Sequence, residues 1–498
     1  AEEHMPGNIR KAKHFVAMLN GVVQFLRQKL AGLQQDADTE TPAMFLHRFE
    51  SATLLDPRAL KFTYSRLNSL LRTLEVTQLD EHNALQDVAD LVTLVASYAE
   101  GFSIVLERNG SLIPGVYEPV IQLACLDASL AIAPVFERFD SVVITSGTLS
   151  PLDLYPKLLG FDPVTKVALD MSTYRACILP VVVTRGADQA QLSTRFEVRE
   201  DPGVVRNYGE LLLELSAAVP DGLVCFFTSY MYMERAVSAW HESGLLDKVL
   251  ERKLVFIETK DVVETTLALN NFKRACDCGR GAVFLSVARG KVAEGIDFDR
   301  HYGRCVVLMG VPYQYTLSHV LRERLDYLRR KFQIRPEDFL TFDALRQSAQ
   351  CVGRVLRSKS DYGAMVFADS RYNRRDKRSK LPKWIQQFLG PGHLNQSTDG
   401  AVDLVRGFLR TMAQPIPEAQ MREILLDQAQ ARGGPAHAID APQARTTAAA
   451  ATPSDGKAES APGAAEAPAV EALFRQSPPA PGTSAVSEAK RPRIEFLS

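Results

Sequence analysis

Apolar residues recur every three or four positions along the first part of the chain, which is the spacing of one face of an α-helix. The stretch 15–33 keeps this spacing, and the stretches 59–75 and 84–98 do so with few Gly or Pro residues to interrupt them. The pattern predicts a mainly helical domain over residues 1–122, whose apolar stripes form its core.

A different pattern starts near residue 123, where short β-branched or aromatic runs alternate with longer helical ones. The predicted strands are 141–145, 177–184, 222–229, 253–258, 281–288, 304–311 and 364–369. Helical patterns lie between several of them, at 206–218, 230–243, 262–276 and 342–357. Apolar strands separated by helices indicate a parallel sheet covered on both faces, so we expect an α/β domain of about 300 residues. Ligands of such sheets bind at the carboxyl ends of the strands.

The last part of the chain differs again in composition, because Ala and Pro dominate residues 431–490. Such a composition cannot bury enough apolar area to offset the entropy lost on ordering, so we expect residues 431–498 to be a disordered tail. Its basic cluster KRPR, at 490–493, is either a short nuclear-localisation signal or a solvated terminus.

Composition narrows the class of protein. The chain has 498 residues, 46% of them hydrophobic and 23% charged, and a net charge of −1, which excludes a uniformly basic coat protein. Its apolar runs fall short of the ~18–20 residues that span a bilayer, so no membrane partner is expected.

The seven cysteines are an odd number and suit a reducing compartment. Cys276 and Cys278 form a CDC string without a second pair nearby, so we expect no metal site.

The strongest chemical motif is QCVGRVLR, residues 350–357, which follows the pattern Q-x-x-G-R-x-x-R. If this run is helical, Gln350, Arg354 and Arg357 lie on one face, and Gly353 lets another backbone approach. Two guanidinium groups on one face suit recognition of a phosphate, and in phosphoryl transfer they neutralise charge on the γ-phosphate. The alternative is a helix with two solvated arginines.

A second motif, SVARGKVAEGIDF at 286–298, directly follows a predicted strand. Gly290 and Gly295 permit a tight loop there. Cationic and acidic side chains alternate along it: Arg289, Lys291, Glu294 and Asp297. Such a loop can hold a ribose hydroxyl or the phosphate backbone of a nucleic acid, although it can also be a simple turn.

Two further strand ends carry hydroxyl groups. ITSGTLSP at 144–151 offers Ser146 and Thr148, which can bond a phosphate or cap a helix. FFTSYMYME at 226–234 offers hydroxyl groups and two tyrosines, which either stack on bases or pack in the core.

Local charge also departs from the balance of the whole chain. Residues 346–380 carry ten Lys or Arg residues against three acidic ones, and Arg374 and Arg375 stand at the centre of the densest part, RYNRRDKRSK. Such a segment can follow a phosphate backbone, and a solvated charged face explains it equally well.

In their order along the chain, these motifs resemble consecutive blocks of the XPD family of DNA helicases. The matching blocks are ITSGTLSPLDLYPKLLGF, AVPDGLVCFFTSYMYME, GRGAVFLSVARGKVAEGIDFDRHYGR, FLTFDALRQSAQCVGRVLR and DYGAMVFADSRYNRRDKRSKLPKWIQ. The resemblance covers about residues 5–415. It implies a RecA-like lobe of the P-loop NTPase type over roughly 123–430, the second lobe of a helicase. Most of a helical Arch domain would precede that lobe.

The resemblance also implies activity and partners. It implies an ATP-dependent helicase of 5′→3′ polarity that acts in the nucleus within TFIIH, in nucleotide excision repair and transcription initiation. The partners would be single-stranded DNA, the TFIIH regulatory subunit at the second lobe, and the assembly subunit of the kinase module at the Arch.

Roles of single residues follow from the resemblance as well. Arg354 and Arg357 would face ATP and Mg²⁺ across a cleft between two lobes, with Gln350 and Gly353 alongside. Coupling of ATP to the DNA surface would fall to Glu294, Gly295 and Asp297. The residues expected near nucleic acid are Thr228, Ser229, Arg289, Lys291, Arg374 and Arg375.

Several family features are missing from the sequence. The phosphate-binding pattern G-x-x-x-x-G-K-[ST] does not occur, the string DEHN at 80–83 sits in a polar connector and not in an acidic helicase box, and the four cysteines of a 4Fe–4S cluster are absent. We therefore expect an incomplete copy of such a helicase that does not hydrolyse ATP alone. The alternatives are a naturally short, non-catalytic TFIIH-binding module and a nucleotide-binding α/β enzyme unrelated to helicases.

Overall fold

A computed structural model of the protein describes residues 12–74, 83–108, 118–169, 171, 175–358 and 361–415. The tail predicted at 431–498, its basic cluster, and the first three residues of the DEHN string lie outside the described residues. None of the helices described is both long and apolar enough to cross a membrane.

The α-helices described are, in chain order, α1 (Ala12–Ala31), α2 (Pro42–Thr53), α3 (Thr63–Thr73), α4 (Asn83–Ser97), α5 (Ser129–Arg138), α6 (Leu154–Leu159), α7 (Pro202–Ala218), α8 (Tyr230–Glu242), α9 (Leu245–Arg252), α10 (Val262–Asp277), α11 (Lys291–Gly295), α12 (His319–Phe332), α13 (Pro336–Gly353), α14 (Arg375–Arg378), α15 (Lys383–Gln386) and α16 (Thr398–Ala413). The strands are β1 (Ala37–Glu40), β2 (Phe102–Glu107), β3 (Val120–Cys125), β4 (Ile178–Arg185), β5 (Gly222–Phe227), β6 (Leu254–Ile257), β7 (Ala282–Val287), β8 (Cys305–Met309), β9 (Gly363–Ala368) and β10 (Gln396–Ser397).

The first module contains the helices that the apolar spacing predicts, α1 to α4, packed around one core. It also contains an antiparallel sheet of order β1-β2-β3, which the sequence did not predict. β1 is short and polar, so it carries no apolar signal of its own. β3 pairs with β2 and continues across residue 122, where we expected the helical domain to end.

Seven strands form a parallel sheet of order β10-β4-β9-β8-β5-β7-β6. α7, α8, α9 and α16 cover one face, and α10 and α13 cover the other. Side chains alternate between the two cores along each central strand, as a sheet buried on both faces requires. The predicted fold class, an α/β lobe preceded by a mainly helical domain, is confirmed.

One predicted strand, 141–145, is wrong. The segment carries no secondary structure, belongs to neither sheet of the described residues, and leaves the Val143 side chain 88% exposed. A run of β-branched residues favours extended backbone, but a strand also needs a neighbouring strand to accept its hydrogen bonds. The other six predicted strands are confirmed as β4 to β9.

The two modules meet at α12, within one unit that spans residues 1–417. Asp127, which follows β3, accepts hydrogen bonds from the Tyr327 hydroxyl at 2.8 Å and from Lys331 Nζ at 2.6 Å. Arg324 Nη2 donates to the Cys125 carbonyl oxygen at 3.2 Å. The antiparallel sheet is therefore attached to the α/β lobe through one face of α12.

Candidate functional site

The Q-x-x-G-R-x-x-R motif is not one continuous helix, contrary to the prediction. α13 ends at Gly353, Arg354 caps it, and Arg357 lies in the irregular segment beyond. The buried carboxylate of Asp361 accepts hydrogen bonds from the Arg357 and Ser358 N–H groups at 2.8 and 2.7 Å. Because these N–H groups have a partner outside the helix, the chain leaves the helix axis before Arg357.

The two arginines nevertheless converge on one carboxylate. Arg354 Nη1 lies 3.2 Å from Asp297 Oδ1, and Arg357 Nη2 donates to the same oxygen. Arg354 also donates to the carbonyl oxygens of Ala293 and Glu294 at 2.8 and 2.6 Å. These carbonyls belong to the last turn of α11, where a cation is favourable. The geometry thus joins the arginine motif to the loop 286–298.

A cavity of about 490 Å³ lies beside the arginines. Its polar and glycine lining comes from the two motifs at 144–151 and 350–357, namely Ser146, Gly147, Thr148, Gln350, Gly353, Arg354 and Arg357. Trp384 closes one side and donates its Nε1–H to the Gly147 carbonyl oxygen at 2.8 Å. The structure therefore brings together hydroxyl groups and guanidinium groups that are separated by about two hundred residues in sequence.

The two guanidinium groups differ in accessibility. The Arg354 side chain is 16% exposed and uses its donors on protein oxygens, whereas the Arg357 side chain is 46% exposed. Arg357 can therefore turn its planar fork toward a phosphate, while Arg354 holds the wall in place. A cavity with cationic groups on one wall and hydroxyl groups on another can bind a phosphorylated ligand.

Gly353 does not provide the close backbone approach that we predicted. A Cβ atom at this position would lie 3.8 Å from the Trp384 ring, which is an ordinary contact with a side chain. Gly295 is the exposed last residue of α11, and a Cβ atom there would meet no atom within 4 Å. Nothing in the structure explains glycine at position 295.

A buried carboxylate that the sequence did not reveal lies beneath the second loop. Glu258 accepts hydrogen bonds from Ser286 Oγ at 2.6 Å, the Val287 N–H at 3.0 Å and the Tyr230 hydroxyl at 2.8 Å. Burial and the hydrogen bond to Glu258 raise the pKa of Tyr230. A Cβ atom at Gly290 would lie 2.5 Å from Glu258 Oε1, so any other residue here would have to displace this buried carboxylate. The only sequence signal was an acidic residue at the end of KLVFIE.

The two predicted cations of this loop differ in their surroundings. Arg289 Nη2 lies 2.6 Å from Asp343 Oδ2 and 2.8 Å from the Pro312 carbonyl oxygen, so its charge is already balanced by a buried carboxylate. Lys291 is exposed, and its Nζ donates to the Lys260 carbonyl oxygen at 2.8 Å. Of the pair, Lys291 is the cation open to a ligand.

Thr228 and Ser229 follow β5 directly. Ser229 is the N-cap of α8, and its Oγ accepts the Tyr232 N–H at 3.2 Å. Thr228 is half-buried beside it. Tyr230 bonds Glu258 and the Tyr232 ring is buried, so both tyrosines are part of the packing.

A second buried ion pair follows β9. The Asp369 carboxylate accepts from Arg371 Nε at 2.9 Å and from Arg371 Nη2 at 2.8 Å. Beyond it Arg374 and Arg375 are exposed, and Arg374 Nε lies 3.0 Å from Asp376 Oδ1. The basic residues after them, Lys377, Arg378 and Lys380, are half-buried. The predicted nucleic-acid residues therefore follow the carboxyl ends of β5, β7 and β9 in the parallel sheet, on the edge where ligands of such sheets bind.

Metal-binding geometry is missing from the part of the chain that the structure describes, where no three His, Cys, Asp or Glu side chains are placed to hold an ion. All seven cysteines fall in this part; Cys278 is exposed, Cys276 is buried, and none of the seven forms a disulfide bond. These residues do not fit a 4Fe–4S cluster, which needs four thiolates together.

Comparison with known proteins gives two family matches. Residues 212–388 match the Helicase C-terminal domain, and residues 1–101 match the Helical and beta-bridge domain. The second description agrees with the helices and antiparallel strands of the first module.

Individual relatives agree with these matches. Over 429 residues the chain is 58% identical to the general transcription and DNA repair factor IIH helicase subunit XPD of Arabidopsis thaliana, a match that covers 86% of this chain and 56% of the relative. It is 50% identical over 413 residues to the corresponding subunit of Saccharomyces cerevisiae, a match that covers 83% of this chain and 53% of that relative. A solved XPD helicase structure aligns with a TM-score of 0.44 at 17% identity, over 63% of this chain and 50% of that one. The chain spans about half the length of the curated relatives it matches.

Proposed function

The chain belongs to the XPD family of DNA helicases, and on that premise we propose that it forms the second motor lobe and Arch domain of an ATP-dependent helicase of 5′→3′ polarity. The observation that carries the proposal is the convergence of Arg354 and Arg357 on Asp297 at the wall of the cavity. Its relatives are named as subunits of a general transcription and DNA repair factor, which agrees with the nuclear localisation expected from the sequence.

The residues at the cavity fit the triphosphate of ATP. Bound there with Mg²⁺, ATP would supply the phosphoryl transfer that drives strand separation. Arg357, the more exposed arginine, would bind the γ-phosphate. Arg354 would hold α11 and Asp297 in position beside Arg357 through its hydrogen bonds. Gln350, Ser146 and Thr148 would contact the ligand as polar lining.

Coupling between nucleotide and nucleic acid would run through the loop 286–298. Asp297, near the end of this loop, shares its carboxylate with both arginines, and Lys291 is the first residue of α11 in the middle of the loop. A phosphate that binds Arg357 competes with Asp297 for the N–H donors of Arg357. This competition shifts α11, because the last carbonyl oxygens of α11 accept hydrogen bonds from Arg354, which also bonds Asp297. The shift of α11 moves Lys291, its first residue.

Single-stranded DNA is the proposed partner at the carboxyl ends of β5, β7 and β9. Contacts from Lys291, Arg374 and Arg375 would be to phosphates, so binding should not depend on base sequence. Within TFIIH, the second lobe would bind the regulatory subunit, and the Arch would bind the assembly subunit of the kinase module.

A fusion protein tests the proposal. The first part of the Arabidopsis relative, up to the start of the matched region, is joined to this chain, and ATP hydrolysis is measured with and without single-stranded DNA. We expect Arg357→Ala to lower kcat by roughly a thousandfold or more, the scale of an arginine that neutralises transferring phosphate. Arg354→Ala should also lower kcat, because the cavity wall loses the hydrogen bonds that hold α11 in place. Arg329→Ala, a surface residue of α12 paired with Asp326, is the control. Unchanged hydrolysis in the first two variants contradicts the assigned roles.

A non-catalytic TFIIH-binding module is the second candidate, favoured by the missing G-x-x-x-x-G-K-[ST] pattern in all 498 residues. For both candidates we expect the purified chain alone to show no ATP turnover above background. They differ in the fusion protein, because a pure binding module restores no DNA-stimulated hydrolysis yet still captures TFIIH subunits.

A further inference from the structure

Phe196 is an exposed aromatic residue that neither the motifs nor the proposed function uses. The residue is 75% exposed although it stands in a turn between β4 and α7. The turn is closed by hydrogen bonds from the Val198 and Arg199 N–H groups to the Arg195 carbonyl oxygen, at 3.1 and 2.8 Å. The Arg199 guanidinium lies 4.6 Å from the ring centroid. The hydrogen-bonded turn and the neighbouring cation therefore hold the ring at the surface.

Hydrogen bonds anchor this turn to the basic segment after β9. The Thr194 N–H donates to Asp369 Oδ2 at 2.8 Å, and Arg371 Nη2 donates to Thr194 Oγ1 at 2.7 Å. The Ser370 N–H donates to the Leu192 carbonyl oxygen at 2.9 Å. Since β4 and β9 are neighbours in the sheet, Phe196 stands at the same edge as the exposed arginines that follow β9.

The charges near Phe196 indicate what the ring would contact. Arg195 and Arg199 are offset by three acidic residues, Glu197, Glu200 and Asp201. Glu200 forms an ion pair with Arg235, and Asp201 caps α7 by accepting the Gly203 N–H at 2.7 Å. A nearly neutral surface does not attract phosphates, but the face of an aromatic ring accepts any base.

We propose that Phe196 stacks on a base of the single strand bound at this edge, with Arg199 fixing the orientation of the ring. This inference rests on the proposed function, which places single-stranded DNA at the carboxyl ends of the strands. It adds a base-stacking position to a surface whose other proposed contacts are to phosphates. Base stacking on an aromatic side chain tolerates every sequence, so it is compatible with a helicase that moves along DNA.

The test measures binding of a fluorescein-labelled oligothymidylate to the full 498-residue chain by fluorescence anisotropy. We expect Phe196→Ala to weaken binding about tenfold, within the range for loss of one stacked base, and Phe196→Trp to bind at least as tightly as wild type. Phe62→Ala is the matched control. Phe62 is also exposed, at 56%, and also lies near an arginine, with Arg66 5.5 Å from its ring, but it belongs to the first module.

Two further measurements separate stacking from charge. The dependence of affinity on salt should be the same in Phe196→Ala as in wild type, whereas Arg374→Ala with Arg375→Ala should reduce it. Against an abasic oligonucleotide, wild type and Phe196→Ala should bind equally.

The outcomes distinguish this inference from the proposed function. A wild-type chain that binds oligothymidylate as tightly as Phe196→Ala does overturns the inference alone. A wild-type chain without measurable affinity overturns both. A Phe196→Ala defect that persists on the abasic oligonucleotide also overturns stacking, because no base is present there.

Discussion

Asp361 is the residue that sets the path of the arginine motif. Besides the N–H groups of Arg357 and Ser358, its carboxylate accepts the Arg300 N–H at 3.2 Å. Burial alone would raise the pKa of Asp361, but the hydrogen bonds from these backbone groups lower it below its usual range. The carboxylate is therefore ionised in the folded protein at neutral pH.

We expect Asp361→Asn to destabilise the chain by about 1–3 kcal/mol at pH 7, the cost of leaving buried donors without a strong acceptor. Because the folded-state pKa is depressed, this contribution is complete above the unfolded-state pKa of about 3.9 and is lost as the pH falls through the folded-state value. Urea unfolding at pH 7 and pH 3 measures the difference, which should shrink at the lower pH.

Asp403→Asn is the control for this substitution, because its exposed side chain pairs with Arg406 on the same helix surface. An equal effect of Asp361→Asn at both pH values would contradict the role given to the ionised carboxylate.

Gly290 supports a second prediction at the residue scale, since a Cβ atom there would lie within 3 Å of the Glu258 carboxylate. We expect Gly290→Ala to destabilise the chain by roughly 1–3 kcal/mol, because a Cβ atom must displace a buried, fully bonded carboxylate. Gly147→Ala should change stability by less than about 0.5 kcal/mol, because its Cβ would meet no atom within 4 Å. Thermal unfolding compares the two, and equal midpoints would show that the loop yields freely.

Single residues were predictable where their side chains carry a motif and unpredictable where they form a buried pair. Arg354, Arg357 and Asp297 were identified from sequence, and the structure brings them together. The buried acceptors Glu258 and Asp369 were not. Asp369 bonds a residue 175 positions away, and no local pattern reports a partner at that distance.

At the scale of elements, α4 contains a carboxyl group in an unfavourable position. Burial and the neighbouring carboxylate of Asp87 raise the pKa of Asp90 to about 6. In the unfolded chain the pKa is about 3.9, so the folded state binds the proton more tightly, and stability falls as the pH rises from about 4 to about 6.

We therefore expect Asp90→Asn to stabilise the chain at pH 7 by about 1 kcal/mol, a value reduced for the partial solvent exposure of the group. The gain should vanish near pH 4, where the wild-type carboxyl group is already protonated. Asp87→Asn should give a smaller gain, because it removes only the second cause of the raised pKa. Urea midpoints at the two pH values check both, and a gain that grows toward pH 4 would contradict the assignment.

Elements were predictable when their pattern came from burial on both faces. Six apolar runs correctly predicted the strands β4 to β9, because a strand that helices cover on both faces of the sheet must be apolar throughout. The two-residue strand β10 and the polar strand β1 carry no such pattern. The sequence predicted that α13 ends at residue 357, four residues after its observed end at Gly353, because hydrophobic spacing contains no information about the Asp361 hydrogen bonds that end the helix.

For the whole molecule, the junction at Asp127 joins the two modules. Its side chain is fully buried, and hydrogen bonds with Asp127 and Tyr327 raise the pKa of Lys331. Burial alone would raise the pKa of Asp127, yet hydrogen bonds from Lys331, Ser129 and Tyr327 lower it. The Asp127 carboxylate thus carries two of the polar contacts at α12, beside the hydrogen bond from Arg324 to the Cys125 carbonyl oxygen.

We expect Asp127→Asn to separate the unfolding of the two modules into two calorimetric transitions, where the wild type shows one. A double-mutant cycle with Lys331→Met should give a coupling of about 0.5–3 kcal/mol, the range for contacting residues. Arg329→Met, on the same helix but paired within it, should leave one transition. A single transition in Asp127→Asn would show that the modules stay joined without this carboxylate, which would contradict the role given to it.

The segment 141–145 has a consequence for how the isolated chain behaves in solution. Its valines and isoleucine are exposed, its backbone lies outside both sheets of the described residues, and no charged residue interrupts it. Such a stretch is a template on which the same stretch of another molecule can pair. We expect concentrated solutions to scatter light increasingly with time and Val143→Lys to suppress this. Equal scattering by both would place the source of association elsewhere on the surface.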